Sequence, residues 1–136
     1  ETGYGNFNAA AVGASARLPG NTLSFAPKWA GGVAATFEHP INARLKWRAH
    51  VGAKYMSDYN TGSDLNPLKM QDAYALFDAR IGIGSQSDSW AFELWGKNVT
   101  NEEYIQVGFD APLQSGSIGA FLGDPRLNGA TFRLKF

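Results

Sequence analysis

The chain has 136 residues, enough for one modest domain, and its 12 basic and 12 acidic residues cancel, which leaves no net field to draw it onto nucleic acid. It has no cysteine, so disulfide scaffolds, thiol nucleophiles and thiolate metal sites are excluded. No run approaches the roughly 20 apolar residues of a spanning helix, so any bilayer crossing must be made by strands.

Sixteen glycines and 13% aromatic residues point to an all-β chain with many turns. The first expected strand, Tyr4 to Ser15, is built of small residues and carries a weak pattern. A long connection, Arg17 to Pro27, leads to a second strand in which Trp29, Val33, Ala35 and Phe37 alternate with Lys28, Thr36 and Glu38. After a tight turn at His39-Pro40-Ile41-Asn42 comes the clearest segment, Ala43 to Tyr55. Its odd positions are all apolar, whereas Arg44, Lys46, Arg48, His50 and Lys54 occupy even ones. At 100° per residue these groups would scatter around a helix; at 180° they fall on two faces of a strand. At about 3.3 Å per residue the segment reaches about 43 Å, long enough to cross a bilayer at a tilt of about 45°.

A long connection, Met56 to Met70, precedes a fourth strand in which Ala73, Ala75, Phe77, Ala79, Ile81 and Ile83 oppose Asp78, Arg80 and Gly82. Gly82-Ile83-Gly84 has no helix pattern behind it and reads as the approach to a turn, not a phosphate cradle. A tight turn over Ser85 to Ser89 gives way to Trp90, Phe92 and Leu94 set against Glu93, Trp95 and Lys97. The longest connection, Thr100 to Asn128, leads to a last strand in which Ala130, Phe132, Leu134 and Phe136 oppose Thr131, Arg133 and Lys135. Short turns and long connections thus alternate, as they do between the periplasmic and external sides of an up-and-down transmembrane β-barrel.

That register puts Phe37, Trp90 and Phe136 near the periplasmic boundary and Trp29 and Tyr55 near the external one, as two aromatic girdles. The opposite face would border a wet lumen with Arg44, Lys46, Arg48, His50, Lys54, Asp78, Arg80, Glu93, Lys97 and Arg133. A lipocalin-like barrel or soluble sandwich shares the period, and the loop asymmetry argues against both. About six strands do not close a wall, since the smallest single-chain barrels have about eight. The chain is therefore expected to be a segment of a longer barrel, or a subunit of a porin-like oligomer that closes a passive pore.

The later segments resemble the C-terminal end of TonB-dependent outer-membrane receptors. Gln71-Asp72-Ala73-Tyr74 followed by Asp78-Ala79-Arg80-Ile81-Gly82 looks like that family's lead-in to a late strand. Trp90 to Leu94, running into Gly96-Lys97-Asn98-Val99-Thr100-Asn101-Glu102-Glu103-Tyr104, is similar to its strand exit ending in Tyr. Gly123-Asp124-Pro125-Arg126, Gly129 and the terminal Phe136 look like its closing strand, and Ala26-Pro27-Lys28-Trp29 resembles the start of an earlier one. The resemblance implies that residues 1–136 are the C-terminal part of a barrel of about 22 strands, without its plug domain. It implies outer-membrane lipid, the rest of the barrel and its plug, the TonB complex and the barrel assembly machinery as partners, with Phe136 as the insertion signal. It also implies import of a scarce nutrient, with an iron–siderophore complex as the leading candidate.

No enzymatic activity, cofactor or metal is expected. His50 sits among cations that would repel a metal ion, and the acids Glu102, Glu103, Asp110 and Asp124 are too scattered for a catalytic pair. Asn98-Val99-Thr100 reads as closing a strand end. The longest connection far exceeds the usual 4–6 residues or so, and long ordered loops tend to carry function. Its Tyr104, Gln106, Phe109, Gln114 and Phe121 are the candidates for substrate contact.

Overall fold

A computed structural model describes residues 22–114 and 116–136, and the strand expected at Tyr4 to Ser15 lies outside them. Five long strands form one antiparallel sheet: β1 (Ala30–Pro40), β2 (Leu45–Met56), β5 (Tyr74–Ser85), β6 (Trp90–Lys97) and β9 (Leu127–Leu134), paired in that order. Two short pairs sit inside the long connections: β3 (Tyr59–Asn60) with β4 (Met70–Gln71), and β7 (Ile105–Asp110) with β8 (Ile118–Leu122). A 3-10 turn, Pro67–Lys69, is capped by Asn66, whose side chain accepts a hydrogen bond from the Leu68 amide. The sheet does not close on itself; β1 and β9 are its edges among the described residues.

The register carries the alternation across the whole sheet. One face has the row Phe37, Ala49, Ile81, Leu94, Ala130 and, a step nearer the short turns, His39, Trp47, Ile83, Phe92, Phe132. The other has Glu38, Arg48, Gly82, Glu93, Thr131 and then Thr36, His50, Arg80, Trp95, Gly129. Because the side-chain period is two, a slip of one residue anywhere would mix these faces.

Burial is inverted relative to a water-soluble sheet. On the apolar face Ile81 is 58% exposed and Phe132 60%, with Val33, Phe37, Val51 and Leu94 also exposed. On the polar face Glu93 is only 4% exposed and Lys46 is buried. Tyr59, Tyr74 and Ala91 are the only buried hydrophobic residues among those described. A soluble sandwich would hide Phe77 and Phe132 in a core; both stand exposed here.

Glycine recurs where the sheet needs room, and Gly82 and Gly84 are the instructive pair. They lie near the end of β5, which runs into the turn that begins at Gln86, as expected. A Cβ on Gly82 would meet the Phe92 carbonyl at 2.6 Å and Glu93 Cγ at 2.8 Å, so the missing side chain lets Glu93 lie flat. Elsewhere aromatic rings cover glycines: Trp95 lies over Gly129, Phe109 over Gly119 and Tyr104 over Gly123. Gly129→Val is expected to cost about 1–3 kcal/mol by overpacking. It would also displace the Trp95 indole from its 3.1 Å hydrogen bond to Thr131 Oγ1. Urea unfolding of the protein, followed by tryptophan emission, checks both effects.

Candidate functional site

Two constellations stand out, one on the polar face and one in the long connections. On the polar face Glu38 pairs with Lys46 and lies 3.8 Å from Arg48. Asp88, in the β5–β6 turn, joins the same group at 3.0 Å from Lys46 Nζ and 2.7 Å from Arg48 Nη2. Hydrogen bonds from these two cations hold the Asp88 carboxyl below its ordinary 3.8. Further along the face, Glu93 is shared by Arg133 at 3.3 Å and Arg80 at 3.8 Å. His50 Nδ1 is 2.9 Å from Thr36 Oγ1 on the neighbouring strand. Thr36, Glu38, Arg48, His50, Arg80 and Arg133 line a hollow of about 350 Å³ on this face. Every strand of the sheet thus contributes a charge or hydroxyl to one surface, and the ion pairs run between strands or from β2 to the β5–β6 turn.

Of the ten charged residues expected on this face, the structure brings together Lys46, Arg48, His50, Arg80, Glu93 and Arg133. Lys54 and Lys97 stand exposed outside these pairs, and Asp78 accepts a hydrogen bond from the Asn98 amide at 3.0 Å. Arg44 lies outside the paired strands. It precedes β2 in the bend over residues 41–44, where alternation has not begun, and its side chain borders a hollow shared with Trp90 and Leu45. Trp29 and Tyr55 lie at the long-connection end of the sheet, and Phe37, Trp90 and Phe136 at the other.

At the long-connection end the two inserted hairpins form an ordered assembly. Asn98 starts it: its backbone is in the left-handed region at φ 47°, a conformation Asn tolerates better than most. Its buried side chain donates to the carbonyls of Glu102 (2.8 Å) and Asp124 (3.1 Å) and accepts from the Glu102 amide (2.8 Å), which ties both ends of the connection together. Asn101 repeats the device, receiving the Arg126 amide at 3.2 Å. The segment 98–104 therefore closes the strand end through asparagine side chains.

Lys69 fastens the β3–β4 arm to the β7–β8 arm. It is 3% exposed and reaches Asp64 in its own arm at 2.7 Å and Asp110 of β7 at 2.9 Å. Hydrogen bonds to these carboxylates raise the Lys69 ammonium above its ordinary 10.5. Burial pushes the Asp64 carboxyl up, but hydrogen bonds from Lys69 and the Asn66 amide outweigh it and leave Asp64 below 3.8. Around this pin the Thr61 carbonyl accepts the Gly108 amide at 2.9 Å, and Gln71 Oε1 accepts the Ile105 amide at 2.7 Å. Tyr74 and Tyr104 stack at 4.5 Å.

The five residues expected to touch substrate lie at different places in the β7–β8 arm and its base. Tyr104 is engaged at the base by Tyr74, whereas Phe109 and Phe121 meet on the hairpin flank with ring centroids 5.2 Å apart. Gln106 is exposed on β7, and Gln114 lies in the turn joining β7 to β8. The Lys69 pin was not anticipated, because nothing in the local pattern pairs residue 69 with residue 110. Among the described residues no group of three or more His, Cys, Asp or Glu is placed to hold a metal ion.

The chain matches the family described as TonB dependent receptor-like, beta-barrel over residues 2–99. That span takes in β1, β2, β5 and β6, and stops short of the closing motif at Gly123 to Arg126. No curated protein and no solved structure gives a significant match.

Proposed function

The chain belongs to the TonB-dependent receptor β-barrel family, a family of outer-membrane receptors and transporters, and from that premise we propose that it is the C-terminal part of such a barrel. One observation carries this reading: the apolar face is bare while the charged face is ion-paired and partly buried. Hydrocarbon solvates the first surface and a wet lumen the second. Among the described residues β1 and β9 are unpaired edges whose amides would cost several kcal/mol each in hydrocarbon, so further strands of the same wall pair with them.

In this reading the short turns at residues 41–44 and 86–89 face the periplasm, and the joined arms lie outside. Aromatics at each end of the sheet anchor it at the interfaces, and Phe136 presents the terminal signal to the assembly machinery. A plug and the TonB complex supply gating and energy through parts of the receptor beyond these residues. The solute is a large nutrient complex, an iron chelate being the first to test, and the Phe109–Phe121 flank contributes apolar contact. Deleting residues 105–122 from the intact receptor is expected to lower affinity for the transported chelate by roughly tenfold or more, while the barrel still assembles. Uptake measured with a panel of radiolabelled ferric chelates checks this, and unchanged uptake and affinity would overturn it.

A further inference from the structure

The short-turn end carries a feature that wall and lumen do not use. Two turns lie side by side there and are stitched together. The Gln86 side-chain amide donates to the carbonyls of Asn42 (3.1 Å) and Leu45 (3.2 Å), and the Gln86 backbone amide donates to Arg44 O at 2.9 Å. Asn42 Oδ1 accepts the amides of Arg44 and Leu45, both at 2.9 Å. Ser85 Oγ accepts the Ser89 amide at 2.8 Å and contacts the Ser87 and Ser89 hydroxyls. The result is a preformed notch of about 560 Å³, bordered by Asn42, Arg44, Leu45, Gln86, Ser87 and Trp90.

The notch has one uncompensated charge. Arg44 is exposed and, among the described residues, has no carboxylate within salt-bridge distance, whereas Lys46 and Arg48 two and four residues on are both paired. It also has one apolar side. Trp90 begins β6 opposite Leu134, and the exposed Ile83, Phe92 and Leu134 continue from it along the apolar face. A guanidinium binds phosphate oxygens bidentately, and a tryptophan at an interface sits at headgroup level.

We propose that this notch is a phospholipid site: the headgroup phosphate binds Arg44 and the turn hydroxyls, and an acyl chain lies along Trp90 and the apolar face. The occupant is a lipid and not a free anion, because the cation and the apolar strip are continuous. A phosphate alone would use only half of the surface. This inference rests on the reading of the apolar face as bilayer-facing.

The test uses the intact receptor, delipidated in detergent, with dioleoylphosphatidylglycerol as probe and native mass spectrometry as readout. Arg44→Gln is expected to weaken retention of the probe roughly fivefold, the worth of one basic residue at a lipid surface, and Arg44→Lys to weaken it less. Equal retention by wild type and Arg44→Gln overturns the site. Displacement of the lipid by equimolar inorganic phosphate overturns it as well, since that result describes a free-anion site. In the same receptor, reconstituted in vesicles, a fluorophore on Phe132→Cys is expected to be quenched by brominated acyl chains. Absence of quenching overturns the bilayer reading and this site with it. Quenching combined with an inert Arg44→Gln overturns the lipid site alone.

Discussion

Ile81→Arg is expected to destabilise the folded receptor in lipid by about 2–4 kcal/mol, the cost of an arginine on the lipid face near the bilayer midplane. Ile81 lies in the middle of the apolar face, between Ala49 and Leu94, and is 58% exposed. On a water-soluble protein so exposed a position would tolerate arginine within about 0.5 kcal/mol. Ala34→Arg is the matched control, since Ala34 is exposed on the opposite face beside Gly52 and should change stability by less than about 0.5 kcal/mol. Urea titration of the intact receptor in phospholipid vesicles measures both. A neutral Ile81→Arg would place the apolar face in water and remove the basis for a membrane wall.

Lys69→Met is expected to release the β7–β8 arm from the β3–β4 arm without unfolding the sheet. Methionine keeps most of the stem packed beside Thr61 and Gly108 but leaves Asp64 and Asp110 without their shared cation. Losing charge-assisted hydrogen bonds of this kind should speed amide exchange at Gly108 and Ile105 by roughly ten- to a hundredfold, while the β2–β5 amides stay protected. Asp110→Asn should produce a smaller change in the same direction, because Asp110 is 68% exposed and water compensates it.

The pH dependence follows from the shifts. Asp64 lies below 3.8 in the folded arm, so its contribution is complete above that value and is lost as pH falls through the depressed one. Lys69 lies above 10.5, so its contribution is complete below that value and is lost as pH rises through the elevated one. Protection at Gly108 attributable to the pin should therefore hold across the neutral range and fail only in strong acid or strong base. Hydrogen exchange corrected for intrinsic rate checks this, and a loss of the pin near neutrality would contradict it.

Strand positions were legible in the residues because a period of two is a local property. Ala43 to Tyr55 sorts its side chains whatever its neighbours do, and the sheet places them as expected over Leu45–Met56. The same holds for residues 74–83 and for Trp90 to Lys97. The hairpin β7–β8 was hidden inside a segment read as one long connection. Its strands are short, its register shifts between Ile105 and Val107, and its glycines dilute the alternation.

By itself the sequence determined that this chain makes long two-faced strands joined by alternating short and long connections, because hydrophobic period and turn residues act over a few positions. Tertiary structure alone decided which charges meet. Glu93 receives arginines from β5 and β9, and Lys69 finds Asp110 41 positions further on, through pairings that depend on sheet order and loop path. It also decided that the apolar face stays uncovered, since whether a greasy surface is buried depends on what packs against it and not on its own residues.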